Sequence, residues 1–223
     1  VLESLAENNS KLKVGMEMLE ADNQLIIDEY TGSVISSDRF EEECRLWPNY
    51  STDYEPLVYY SKRHHLPLIA TNVPRRYASV VKEKGLVYLD SLSDEAKRYL
   101  PKLPIKYVEN ENAQSGFALM GLMGKAKDSK PELMAQAQAI KDATMGWFIA
   151  QNLKKGEQMI HFNGTYHSDA NNGIIPYLKE YRPKTTVSTI RAVRQEEIDK
   201  IDEDYLGLAD FYICITEDMN MSY

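Results

Sequence analysis

The sequence predicts an α/β fold with a mostly parallel central sheet, and three observations carry that expectation. Apolar runs over 12–16, 66–73 and 158–163 alternate with segments of helical periodicity. The runs are apolar on both faces, which suits buried strands rather than strands facing water. Each run is followed by a polar residue capable of chemistry: Glu17, Arg75 with Arg76, and His167. Carboxyl ends of parallel strands share one edge, so these residues, far apart in sequence, are expected to meet in one crevice.

Residues 1–8 read as the end of a helix, followed by a strand over 12–16. Residues 22–30 carry Leu25, Ile26 and Tyr30 at helical spacing, and Gly32 closes them. Asp38 and Glu41 resemble a capping pair that opens a helix bearing Phe40, Cys44 and Trp47, which Pro48 stops. A helix over 55–64 leads to the strand over 66–73. Pro74 then stands at the first helical position of a helix that ends at Gly85. Val87 to Leu89 is expected as a short strand, and Ser93 with Asp94 and Glu95 opens a small helix ending at Pro101. Residues 101–130 are rich in Gly and Asn and weakly periodic, so a loop or mobile lid is expected there. The clearest helix spans 132–153, where Leu133, Ala137, Ile140, Thr144 and Phe148 keep three- and four-residue spacing. After Gly156 come a strand over 158–163, a helix over 174–181 opened by Gly173 and Pro176, and final strands over 187–193 and 211–215.

At 223 residues the chain suits a single domain, 1–223. Its 43% hydrophobic and 27% charged content is that of a globular protein. The net charge of −8, with no Lys/Arg block, argues against nucleic acid as a partner, because phosphate binding needs clustered cations. Cys44 and Cys214 lack the spacing of a redox or zinc motif. No apolar stretch has the length of a membrane span, and the chain opens on Val-Leu-Glu-Ser without an initiating Met, so further sequence is expected upstream. Fifteen Tyr against five Phe favour interfaces and pockets that grip flat ligands, since tyrosine has an apolar body and a polar tip.

Glu17, at a strand end, reads as a general base or metal ligand, or else as a cap for the following helix. Arg75 and Arg76 occupy a first helical turn, where cations oppose the helix dipole. Either a bound anionic group or a salt bridge would relieve that conflict. Gly164 allows close backbone approach before His167, which with Asp169 nearby reads as a metal ligand, acid/base group or ligand donor, or as a structural histidine. His161 is expected to be a satisfied core histidine, and His64 with His65 an exposed helix end. Asp142 interrupts an apolar helix, so it must be paired or face the cleft. Phosphate-loop, nucleophile-elbow and HExxH signatures are absent from the sequence.

Together these residues resemble the ChaN family of haem-binding, iron-regulated lipoproteins, in the superfamily of the Tiki metalloproteases and erythromycin esterases. The resemblance rests on Gly15-Met16-Glu17-Met18, Trp47-Pro48 with Tyr54-Glu55-Pro56-Leu57, and Ala70 to Arg76. It continues through Ala135-Gln136-Ala137-Gln138, Asp142-Ala143-Thr144-Met145, and Gly164-Thr165-Tyr166-His167 with Gly173-Ile174-Ile175-Pro176. It implies a three-layer α/β/α fold with a helical and loop elaboration over the strand ends. It also implies a role in haem or iron acquisition, as a periplasmic protein or outer-membrane lipoprotein, with binding and uptake rather than turnover.

The partners implied are haem and outer-membrane haem transport machinery, with a homodimer as the alternative to a single copy. The superfamily's paired Gly-x-x-His motifs, Glu and Arg are matched here by Gly164 with His167, by Glu17 and by Arg75; the first Gly-x-x-His would fall before Val1. Ferric haem accepts a Tyr phenolate, for which Tyr54, Tyr77 and Tyr166 are the candidates. The alternative is a hydrolase that holds a divalent transition metal ion through Glu17 and His167.

Overall fold

A computed structural model describes residues 1–110 and 130–219. Of the expected lid over 101–130, residues 111–129 lie outside the described residues. The chain begins with α1 (Leu2–Asn8) and β1 (Leu12–Glu20). Next come α2 (Gln24–Thr31), α3 (Ser37–Glu43), a π-helical turn (Tyr50–Tyr54) that runs into α4 (Glu55–Arg63), and β2 (Leu68–Asn72). Then follow α5 (Arg75–Lys84), α6 (Asp94–Lys97), α7 (Pro131–Asn152), β3 (Gln158–Phe162), α8 (Ile174–Tyr181), β4 (Ile190–Gln195) and β5 (Phe211–Thr216).

The central sheet has strand order β2-β1-β3 and is parallel throughout, with Val14 opposite both Leu68 and Ile160. β1 shows why both faces read as apolar. Leu12, Val14, Met16 and Met18 point to one side and pack with Leu2, Ile27, Phe40 and Val58. Lys13, Gly15 and Glu17 point to the other side, where α7 lies. Lys13 Nζ donates to the carbonyl of Asn152, whereas Glu17 reaches Asp142 through His167. Ten helical residues and four strand residues cover similar lengths, roughly 13–15 Å, so α7 runs antiparallel along this face. Helices on both faces give the three layers.

Gly15 is required for that fit. A Cβ there would stand 2.8 Å from His161 Cδ2 and 2.9 Å from Met159 Sδ, closer than packed carbon atoms approach.

Several local expectations are corrected. β1 continues to Glu20, four residues beyond the apolar run, so Glu17 lies inside the strand. Residues 86–91 form a 3₁₀ helix: Leu89 packs with Val81 and Leu100, and residues 87–89 have no strand to pair with among the described residues. Ser36 caps α3 by accepting the Arg39 N–H, in place of the Asp38/Glu41 pair, and α3 ends before Cys44, leaving Trp47 in a loop. Pro74 is the N-cap of α5 and Arg75 its first residue. β4 and β5 pair parallel in a separate two-stranded sheet instead of extending the central one. Among the described residues no helix is long and apolar enough to cross a membrane.

Candidate functional site

Two adjoining features occupy the carboxyl edge of the central sheet, a buried charge relay and an open cleft. Their parts come from β1, α5, α7 and the turns after β2 and β3.

The relay consists of Glu17, His167 and Asp142, all nearly inaccessible to solvent. His167 Nδ1 lies 2.5 Å from Asp142 Oδ1 and Nε2 lies 3.2 Å from Glu17 Oε1, while the Gly164 N–H donates to Glu17 Oε2 at 2.7 Å. With a carboxylate at each nitrogen, the imidazole is held protonated. Burial alone would lower its pKa, but the hydrogen bonds and charges of Asp142 and Glu17 raise it to about 10.

Burial opposes ionisation of Glu17 as well, yet His167, the Gly164 amide and Lys141 hold its carboxyl down to about 2. Asp142 is shifted upward by its deeper burial, against the pull of His167. Lys141, the next residue on α7, is pushed down by burial and held up by the charges of Glu17 and Asp142. With all four groups ionised, two positive and two negative charges balance. Asn110, itself buried, donates to the Tyr166 carbonyl at 3.1 Å and hydrogen-bonds Asp142, tying the turn that carries His167 to α7.

Gly173 places that turn. It adopts φ +63°, and a Cβ there would stand 2.5 Å from the His167 carbonyl oxygen, so only glycine fits. The Gly164 backbone does approach closely, through its N–H to Glu17 Oε2, but that approach does not require a glycine. Its φ is −66° and a Cβ would meet Glu17 Oε2 at an ordinary 3.6 Å. Asp169 is not the partner of His167 either; it pairs with Arg191, while Asp142 reaches the imidazole from α7.

The cleft, of about 600 Å³, opens between α5, α7 and the loop that carries Trp47. Leu46, Trp47, Pro48, Val73, Met134 and Ala137 give it apolar walls, and Arg75, Lys82 and Lys141 give it cations. Glu20 also lines it. One Glu20 oxygen accepts the Arg75 backbone N–H at 3.1 Å at the start of α5, and the other binds the Arg75 side chain. The anion inferred at this helix terminus is therefore the protein's own carboxylate. Arg76 pairs with Asp22 and lies over the Tyr77 ring, and Arg45 bridges Glu20 and Asp22. Both arginines thus have the salt-bridge partners that the dipole conflict calls for.

Glu17 and His167 meet directly, whereas Arg75 lines the cleft, of which neither of them is a wall. Lys141 joins the two features, lining the cleft while sensing Glu17 and Asp142. The three tyrosines do not line the cleft. Tyr54 packs edge-on against Trp47 at 5.8 Å, Tyr77 is buried with its hydroxyl accepting from Arg76 at 3.2 Å, and Tyr166 is 55% exposed on the turn before His167. Among the described residues, no group of three or more His, Cys, Asp or Glu side chains is arranged to hold a metal ion. Glu17 and His167 bond each other instead. His161 bonds Thr71 and Asn163 through its two nitrogens and is pushed down to about 4 by burial, which keeps it neutral.

Glu20, Lys141 and Gly173 escape sequence reasoning as site residues. Glu20 had a legible signal, since a carboxylate three residues after Glu17 shares the strand-end edge with the α5 N-terminus.

A family model described as haem-binding uptake, Tiki superfamily, ChaN matches residues 1–178. The chain belongs to this ChaN family. A solved structure of ChaN from Campylobacter jejuni, reported with cofacial haem binding, is similar with a TM-score of 0.66. The two are 16% identical, and the match covers 94% of this chain and 76% of that one, a likeness that shows the shared fold. No curated protein matches the chain. The ChaN match ends within α8, so β4 and β5 lie beyond it, while the structural likeness extends past that point.

Proposed function

We propose that this chain binds haem in the cleft beside Trp47 and serves haem or iron acquisition outside the cytoplasm, as a periplasmic protein or outer-membrane lipoprotein that passes haem to or from transport machinery. The observation that carries the reading is the pairing of ChaN family membership with an apolar cleft edged by Arg75, Lys82 and Lys141. The cleft volume lies within the range of small-ligand sites, roughly 300–1,000 Å³. A flat apolar macrocycle with two carboxylates suits walls of Trp47, Pro48, Val73 and Met134 with cations at their edges.

When bound, haem supplies iron for transport and no chemistry is asked of the protein. Its own residues bind and orient the ligand, and the relay holds its proton on His167 between two carboxylates. An iron-ligating phenolate has to turn towards the cleft, and Tyr166, the most exposed of the three tyrosines, is the one free of burial. The cofacial haem of the Campylobacter relative makes stoichiometry and mass on loading worth measuring, since a homodimer would follow from the same arrangement.

Haemin titration tests the reading. A shifted Soret band and quenching of indole fluorescence as Trp47 meets the porphyrin are expected. Absence of both refutes it.

A further inference from the structure

Two polar groups on the cleft wall lack partners of their own among the described residues. Asn72 is 8% exposed, and its Nδ2 donates to the Glu17 carbonyl at 2.9 Å, which fixes the amide and leaves Oδ1 buried with no hydrogen-bond donor among the described residues. Lys141 lines the same cleft, partly buried, and forms neither a hydrogen bond nor an ion pair there among the described residues. One is an acceptor without a donor and the other a donor without an acceptor. Buried groups of either kind cost free energy until they are satisfied.

The other two cations of the cleft differ from Lys141. Arg75 is already committed to Glu20 and its side chain is 59% exposed, and Lys82 is exposed to solvent, where a new ion pair gains little. Lys141 is partly buried and its three N–H donors have no partner among the described residues, so an anion placed against it would interact more strongly than at an exposed site. Behind it stand Glu17 and Asp142, whose charges favour its ammonium form but which already share His167.

We propose that Lys141 anchors the ligand, its ammonium binding a carboxylate of the molecule in the cleft while Asn72 Oδ1 accepts another of its N–H groups. The proposal rests on the haem reading and names the residue that distinguishes the free acid from other porphyrins. On this view Lys141 is a specificity determinant, and the apolar walls supply most of the affinity without discriminating.

The test compares haemin with its dimethyl ester, in which both propionates are blocked, by Soret titration of the whole chain in one solvent. The wild-type protein is expected to prefer haemin. Lys141→Met should weaken haemin by about tenfold, the scale of one charged hydrogen bond, and leave the ester unchanged, so that the preference collapses. Lys141→Arg should retain the preference, and Lys82→Met should cost less than about threefold. If Lys141→Met is poorly folded by circular dichroism, Lys141→Gln carries the same comparison with a polar isostere.

Equal weakening of both ligands means a structural role, and no weakening means no contact; either result overturns the proposal while the haem reading stands. An equal loss in Lys82→Met overturns it too. If the wild-type protein binds neither ligand, the haem reading itself falls and the anchor falls with it.

Discussion

The relay makes a sharp prediction about stability and pH. His167 is held well above its ordinary value of 6.5, at about 10, by Asp142 and Glu17. A group whose folded pKa is raised contributes stability that is complete below its unfolded pKa and is lost as pH rises towards the folded one. Between roughly pH 7 and 8.5 the folded chain therefore keeps a proton that the unfolded chain has released. At about 1.4 kcal/mol per pH unit, unfolding free energy should fall by about 2 kcal/mol across that window.

Glu17, already ionised from about pH 2 upward, and His161, neutral above about pH 4, contribute no titration there. In His167→Gln the fall should disappear. The variant should also be weaker at neutral pH by about 3–5 kcal/mol, because two buried carboxylates lose the cation between them. Urea unfolding of both proteins at the two pH values measures each quantity. Equal pH slopes in the two proteins, or a wild-type protein that gains stability with rising pH, would refute the reasoning.

The other predictions concern the glycines and tyrosines. Gly173→Ala should destabilise by more than about 2 kcal/mol in denaturant titrations, since it combines a left-handed backbone with a Cβ 2.5 Å from the His167 carbonyl oxygen. Gly164→Ala should stay within about 1 kcal/mol of wild type, because its φ suits any residue and its Cβ meets only ordinary contact. Among the haemin spectra of single Phe variants, Tyr77→Phe should match the wild type, its hydroxyl being buried and bonded to Arg76, while Tyr166→Phe should lose the phenolate signature. A changed spectrum in Tyr77→Phe alone would reverse that assignment.

The central strands and main helices were legible because burial on both faces and three- to four-residue spacing leave strong patterns. Leu12, Val14 and Met16, and Leu133 through Phe148, are examples. What local pattern does not encode is where an element stops pairing. β1 runs on to Glu20 because Asn72 continues the ladder across a register irregularity, and residues 87–89 lack a neighbouring strand among the described residues.

At the site, Glu17 and His167 were readable as polar residues after apolar runs, and Asp142 as a carboxylate needing a partner. Their partnership was not readable, since it depends on α7 running back along β1 so that residues 125 positions apart in sequence from Glu17 reach the same imidazole. For Arg75 and Arg76 the dipole conflict was readable and left two resolutions open, a bound anion or a salt bridge. The salt bridge is the one that forms, and its partners Glu20 and Asp22, from the end of β1 and the turn after it, could not be named from local pattern.

The most direct measurement of the central claim is a crystal structure of the haemin-loaded protein. The account predicts porphyrin density between α5 and α7 against Trp47, with a propionate at Lys141; density elsewhere on the surface, with this cleft unchanged, would contradict it.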